Sequence, residues 1–505
     1  MTEDITATKV AKGSIYLTLG SIFSNLIAIV GFAFMARMIT TEEMGVVAGI
    51  TLLTTFAQVT SDFGLNSSIP RHVSESKGKG EDIRDVVVSA IAFRIPVSIT
   101  VASILFVFAT SVSSVFFRTT GFGYVITLLS LDVAILCLTP LMNNVLLGNG
   151  KLLSISVYNV ANTAVSWLSI AALLLAGKGL YGFVLGGIVG DVALLIMQAI
   201  SVARLVDFKR VTLVTFRKQI RQLLKFALPL YLASAISFLY TWYDKAIVLA
   251  SMSLSDLGIY NTAYMPFTVL VTIATALGSA MLPYYGMAYG KNDYDAISLG
   301  IKRVSKYTCL AIFPLTLGLM ATSKPTLTIF AGLRYEAGWT ILSVFSLFGL
   351  VYGIMPALSN ILLVYGKTRT ILLLSLVPVV SSLVLAPLVW ISGLVGFAIM
   401  RGTSLALSFL LTAYFVNKAV PVRIDKGAVT RALAASALMA TIVVILQQIL
   451  YDAHLLPFYV LVGTAVYIAI IRILKVLDKE DFQFLEQIIG KRAAKYASRI
   501  LGGRS

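Results

Sequence analysis

Thr40-Thr41-Glu42-Glu43-Met44-Gly45 is echoed about 213 residues later by Ser253-Leu254-Ser255-Asp256-Leu257-Gly258. Two further echoes run in the same order at nearly the same offset. Leu146-Leu147-Gly148-Asn149-Gly150-Lys151 returns as Leu362-Leu363-Val364-Tyr365-Gly366-Lys367, and Gly179-Leu180-Tyr181-Gly182-Phe183 returns as Gly393-Leu394-Val395-Gly396-Phe397. Collinear echoes at one offset mean two structurally equivalent halves. In a membrane chain, paired halves point to a transporter with its site at the repeat interface.

The chain is a membrane protein by composition: 58% of residues are hydrophobic and 12% charged, with a mean hydropathy of +0.91. About fourteen apolar stretches are long enough to cross a hydrocarbon core of roughly 30 Å. They lie near 14–36, 45–67, 86–112, 124–147, 152–176, 180–202, 223–249, 259–282, 307–330, 339–364, 370–391, 394–415, 432–450 and 457–474. They are continuously apolar, without the alternation of barrel strands, so the expected fold is all-α and polytopic. The expected organisation is a six-helix lobe over 1–208, a second over 209–426 that opens on an amphipathic connector, two added helices over 427–477, and a basic amphipathic tail over 478–505. An even number of spans per half predicts halves related by an axis along the membrane normal.

The first apolar run is too long for a signal-peptide core, which predicts a cytoplasmic N-terminus. With that orientation, roughly 32 of the 40 Lys and Arg residues fall on cytoplasmic segments, so both termini are expected inside a plasma or inner membrane. The same bias accounts for the net charge of +17 and removes the need for a nucleic-acid partner. Cys137 and Cys309 fall inside spans as small apolar residues. His72 and His454 are read as solvated polar residues. With no metal-ligand spacing and no phosphate-cradling glycine loop, no enzyme, metal or cofactor is expected.

Ionisable residues within spans are costly and mark cavities or partners. They are Asp62, Arg94, Asp132, Asp191, Asp244, Lys245 and Arg401. Asp62 and Arg94 lie about 12 Å from the cytoplasmic ends of antiparallel helices, so they either pair or leave Arg94 to attract an anionic head group. Arg94, Lys245 and Arg401 are cavity candidates for a phosphate. Asp62, Asp132, Asp191 and Asp244 are candidates for sugar contacts or a coupling proton. Asp244 and Lys245 are adjacent and point about 100° apart, so one of them is expected to serve a helix contact. None has a charged repeat-mate: Asp62 maps near Thr275, Arg94 near Tyr307 and Asp244 near Gly31.

The run from Ala36 to Gly45, then Asp62-Phe63-Gly64-Leu65 and Pro70-Arg71, resembles the opening of polysaccharide biosynthesis proteins of the oligosaccharide flippase type. Asp244-Lys245, Asp256-Leu257-Gly258-Ile259-Tyr260 and Leu282-Pro283 resemble the corresponding region of the second half. This group belongs to the multidrug, oligosaccharidyl-lipid and polysaccharide exporter superfamily. The resemblance implies a flippase that moves a polyprenyl-phosphate- or pyrophosphate-linked glycan from the inner to the outer leaflet by rocking of two lobes. It implies membrane lipids, glycosyltransferases and a polymerase as partners. Arg37 and Arg71 match the family pattern at helix ends and join the cavity candidates. The chain departs from lipid II flippases, whose cavity is more strongly cationic, and this favours another lipid-linked sugar. A cation-coupled multidrug antiporter of the same superfamily and a non-transporting scaffold of a polymer-synthesis complex are the alternatives.

Overall fold

The computed structural model describes residues 7–206, 212–279, 281–477 and 481. Two compact units divide at Gly258. The first contains α1 (Ala7–Met38), α2 (Thr41–Asp62), α3 (Leu65–Gly78), α4 (Arg84–Val107), α5 (Ala109–Phe116), α6 (Gly123–Gly148), α7 (Leu152–Leu175), α8 (Gly179–Ala203), α9 (Leu213–Ser251) and the first residues of α10 (Leu254–Ser279). The second holds the rest of α10 and α11 (Leu282–Gly290), α12 (Tyr294–Ala321), α13 (Ser323–Ala331), α14 (Trp339–Phe348), α15 (Met355–Val364), α16 (Thr368–Leu385), α17 (Pro387–Ala419), α18 (Lys426–Ile449) and α19 (Leu456–Ile473). No strand occurs among the described residues.

Among the described residues, twelve helical stretches are long and apolar enough to cross a membrane. The other two expected spans fall on α9, which is 39 residues long, and on α16, whose apolar part, Arg369–Leu385, is shorter. The chain is therefore a multi-pass membrane protein.

The sequence echoes are helix boundaries with matching stereochemistry. Thr40 caps α2, accepting from the Glu43 N–H at 3.2 Å while the Glu43 carboxylate accepts from the Thr40 N–H at 2.8 Å. Ser253 and Asp256 repeat the same reciprocal pair at the start of α10, at 3.1 and 3.2 Å. Such a box satisfies amide donors that a helix start leaves unpaired. After α6, Gly150 has φ +77° and the Lys151 N–H donates to Leu146 O at 3.0 Å. After α15, Gly366 has φ +62° and the Lys367 N–H donates to Leu362 O, also at 3.0 Å. Both are left-handed glycine helix stops. Gly179 and Gly393 are likewise left-handed, at +47° and +57°. Gly393 breaks α17 internally, so the twelfth expected span is its segment after this kink.

Packing without water between helices depends on close backbone approach. Gly182, Gly186 and Gly190 form a four-residue-spaced stripe on α8. A Cβ on Gly186 would stand 2.5 Å from Ile170 N of α7, and those on Gly182 and Gly190 would meet Leu173 and Ser166. Leu65, Ile69, Val87, Leu141, Val145 and Leu223 gather into one buried cluster. Ile220 belongs to the same cluster and Phe216 packs against it, so part of the connector's apolar side covers the first unit, while Leu213 and Val214 are exposed. Residues 207–211 of the connector lie outside the described residues.

Several spans expected as continuous are interrupted, the second and the tenth among them. The second ends at left-handed Phe63 (φ +48°) and Gly64 (φ +77°), after which α3 begins anew. The tenth is α14, a 3-10 turn over Gly349–Gly353, and α15. Pro356 supplies no amide and disfavours helix in the residue before it. Gly349 and Gly353 press on Thr316 and Phe313 of α12, at 2.8 and 2.9 Å from a would-be Cβ.

Candidate functional site

In the first unit the structure brings Asp62 and Arg94 together. Arg94, on α4, is fully buried. Its Nε donates to Cys137 O of α6 at 2.7 Å and its Nη1 donates to Ser61 O at the end of α2. Nη1 also stands 3.6 Å from Asp62 Oδ1, which accepts from the Asn66 N–H at 3.0 Å. The α2–α3 break leaves carbonyls and amides without helical partners. One guanidinium, with five donors in a fixed fork, takes the carbonyl side of that break and the Asp62 carboxylate takes the amide side. Ser61 Oγ completes the knot by donating to Cys137 Sγ at 3.0 Å.

A second polar group lies where α6, α7 and α8 pack. Asn162 Nδ2 on α7 donates to Asp191 Oδ1 on α8 at 3.0 Å. Asp132, on α6, is 6% exposed, and its Oδ1 has no hydrogen-bond partner within the protein. One turn from Asn162, Tyr158 Oη shares a hydrogen bond of 2.6 Å with Ser201 Oγ of α8. Gln198 on the same helix is fully buried with both amide atoms unpartnered. A buried carboxyl and amide of this kind call for water, a proton or a ligand.

Asp244 and Lys245 diverge as adjacent helical residues must. Asp244 is fully buried, while the partly exposed Lys245 sets its ammonium over the Trp242 ring, 4.7 Å from the centroid. Arg37, in the last turn of α1, is exposed. Arg71, on α3, is also exposed and stacks over Phe226 of α9 at 4.3 Å.

In the second unit Arg401 lies half-buried over the Tyr264 ring at 4.9 Å and donates to Tyr264 Oη at 3.1 Å. Tyr264 leads into an aromatic cluster. It meets Phe345 edge-on at 5.0 Å, Phe267 stacks on Phe345 at 5.6 Å, and Tyr260 contacts both Phe345 and Phe397. An arginine on an aromatic floor is the chemistry of phosphate and sugar recognition in one place.

A model of the family described as polysaccharide biosynthesis protein matches residues 34–340. The chain belongs to that family. Among curated proteins it is 21% identical over 431 residues to a probable low-salt glycan biosynthesis flippase, Agl15, of Haloferax volcanii, spanning 85% of this chain and 88% of the relative. It is 27% identical over 125 residues to the teichuronic acid biosynthesis protein TuaB of Bacillus subtilis, a quarter of each chain (25% and 26%). Its fold is that of a lipid II flippase, MurJ, in an inward closed conformation, with a TM-score of 0.74, 16% identity, and coverage of 90% of this chain and 98% of that one. It is shared with an inward-facing multidrug resistance MATE family transporter of the MOP superfamily, with a TM-score of 0.60, 15% identity, and coverage of 80% and 98%.

Sequence reasoning offered the pairing of Asp62 with Arg94, which the structure forms, but did not find the uncharged partners of the intramembrane charges. Asn162, Cys137 and Tyr264 are uncharged, and nothing in a single sequence distinguishes them from ordinary span residues. It also began the ninth span at Tyr307. The helix starts instead at Tyr294, where Asp293 accepts from the Ala296 N–H at 2.9 Å. Lys306 therefore sits inside α12, 6% exposed.

Proposed function

We propose that this protein flips a polyprenyl-phosphate- or pyrophosphate-linked oligosaccharide from the cytoplasmic to the outer leaflet, by alternating access of its two repeated halves. The observation that carries the reading is the relative named as a probable glycan biosynthesis flippase, which aligns with 85% of the chain. The halves supply unlike chemistry on a common frame, as an asymmetric substrate requires. Arg401 on its tyrosine floor and Lys245 on Trp242 are assigned to phosphate and sugar rings. Arg37, in the last turn of α1, and Arg71, midway along α3, are assigned to gathering the anionic head group. Asp132 and Asp191, with Asn162, are assigned to the coupling step or to sugar hydroxyls. Asp62 and Arg94 are assigned to holding the α2–α3 break, and Asp244 to a helix contact. The termini are cytoplasmic in this reading, and glycosyltransferases and a polymerase act before and after the flip.

Deleting the gene is expected to abolish surface glycan while lipid-linked glycan accumulates on the cytoplasmic leaflet, scored by leaflet-specific labelling. Unchanged glycan with new drug sensitivity would replace the reading with the antiporter. Arg401→Ala is expected to lower the flipping rate about 10- to 100-fold, the loss of a charge-assisted hydrogen bond of roughly 1.5–3 kcal/mol. Insertion and folding should be retained. Wild-type flipping by that variant would remove Arg401 from the site.

A further inference from the structure

Two cavities adjoin in the first unit beside α9. The larger, of about 660 Å³, lies at the end where α2 and α10 start, and Glu42, Arg118, Ser251, Ser253 and Ser255 give it a polar lining. The smaller, of about 340 Å³, lies further along α2 and α9 and is walled by leucine and aromatic side chains, Phe56, Phe238 and Trp242 among them. Phe116, at the end of α5, lines both. Each falls within the roughly 300–1,000 Å³ of small-molecule sites. With cytoplasmic termini, as proposed above, α1 crosses outward and this end of the unit faces the outer side.

The hydrogen bonds around the polar cavity define what it can hold. Ser251 Oγ donates to Ile247 O at 2.7 Å, Ser253 Oγ to Asp256 Oδ2 at 2.7 Å and Ser255 Oγ to Thr41 Oγ1 at 2.8 Å. A hydroxyl has a single proton, so these serines can only accept from a ligand, as can the exposed Glu42 carboxylate. Their complement is a donor-rich group such as a sugar. Arg118 supplies the opposite chemistry. Its Nη2 donates to Ala250 O, which ties the guanidinium to the end of α9, and the exposed side chain keeps its other donors for an oxyanion. The Arg118 backbone is held at φ +55°, a torsion that non-glycine residues seldom adopt. The adjoining apolar cavity offers a hydrocarbon chain its leucine and aromatic walls. We propose that the two cavities form one amphipathic site for a sugar-phosphate polyprenyl lipid on the outer side. The sugar hydroxyls donate to the serines and Glu42, the phosphate accepts from Arg118, and the first prenyl units pack between Phe56, Phe238 and Trp242.

The ligand class rests on the flippase reading, but the test measures binding, so either can fail alone. The full-length protein in phosphatidylcholine discs is irradiated with glucosyl farnesyl phosphate that carries a diazirine on its prenyl chain, and adducts are mapped by peptide mass spectrometry. Adducts are expected on the α9 stretch 238–246. Arg118→Gln removes the cation and Ala246→Phe fills the apolar cavity, and each should lower labelling at least about tenfold. Unlabelled glucosyl farnesyl phosphate should compete at least about tenfold better than farnesyl phosphate, because only the former carries the sugar's donors. Adducts confined to other helices, labelling that survives either substitution, or equal competition by farnesyl phosphate would overturn the proposal. Loss of labelling in discs that contain phosphatidylglycerol would also overturn it, by giving the site to a bulk lipid. The competition series uses the wild type alone and decides the matter where a variant does not fold. A glycan phenotype without labelling would remove this site and leave the flippase reading standing, and labelling without the phenotype would do the reverse.

Discussion

Arg94→Met is expected to lose about 3–5 kcal/mol of stability, enough to leave little folded protein, because it strands buried groups on three sides at once. The Asp62 carboxylate would remain at the end of α2 with its counter-charge gone. Ser61 O and Cys137 O would lose their guanidinium donors. Arg94→Lys keeps the charge, but one ammonium on a flexible stem does not reproduce a planar fork reaching α2 and α6 together, so it should recover only part of the loss. The double variant Asp62→Asn/Arg94→Met should be more stable than Arg94→Met alone, since the stranded charge has gone with its partner. Fluorescence-detected size exclusion after graded heating reads all three. If Arg94→Met melts with the wild type and only glycan flipping is lost, the knot is not structural and Arg94 returns to the substrate's phosphate.

The contrast between Arg94 and the repeat shows what a single sequence transmits. Apolar span lengths are written residue by residue, and the echoes survive because left-handed glycines and capping pairs tolerate few substitutes. Gly150 with Gly366, and Thr40 with Ser253, are therefore visible as strings. Interruptions inside spans were less legible. Phe63-Gly64 breaks α2 through backbone torsions that non-glycine residues seldom adopt, and Phe63 gives no sign of them. Charges at membrane depth could be named, but their partners depended on which helices pack. Asp62 and Arg94 were within reach because antiparallel neighbours at equal depth are predictable. The Asp132, Asn162 and Asp191 group needed three helices in register. Lys306 was missed because α12 starts at Tyr294, about three and a half turns before the apolar stretch begins at Tyr307.

Gly45→Ala and Gly258→Ala are each expected to destabilise the protein by about 1–3 kcal/mol, against the usual gain when alanine replaces a helical glycine. The reason is a reciprocal contact within the first unit. A Cβ on Gly45 would collide with Leu254 O, and one on Gly258 with Thr41 O, in both cases backbone that has no rotamer to step aside. Under the repeat, Thr41 corresponds to Leu254 and Gly45 to Gly258, so these are one contact made twice about a local two-fold axis. Ser255 Oγ donates to Thr41 Oγ1 at 2.8 Å across the same crossing. A methyl on either glycine forces the starts of α2 and α10 apart, and the other glycine is relieved by the same movement. The double substitution should therefore cost clearly less than the two single costs together. Gly187→Ala is the control: no heavy atom lies within 4 Å of its would-be Cβ, and it should be neutral or stabilising by up to about 1 kcal/mol. Thermal unfolding of the four variants separates the cases. Additive losses would mean two independent clashes and no shared crossing, and a stable Gly258→Ala would mean that the two helix starts are not held this close.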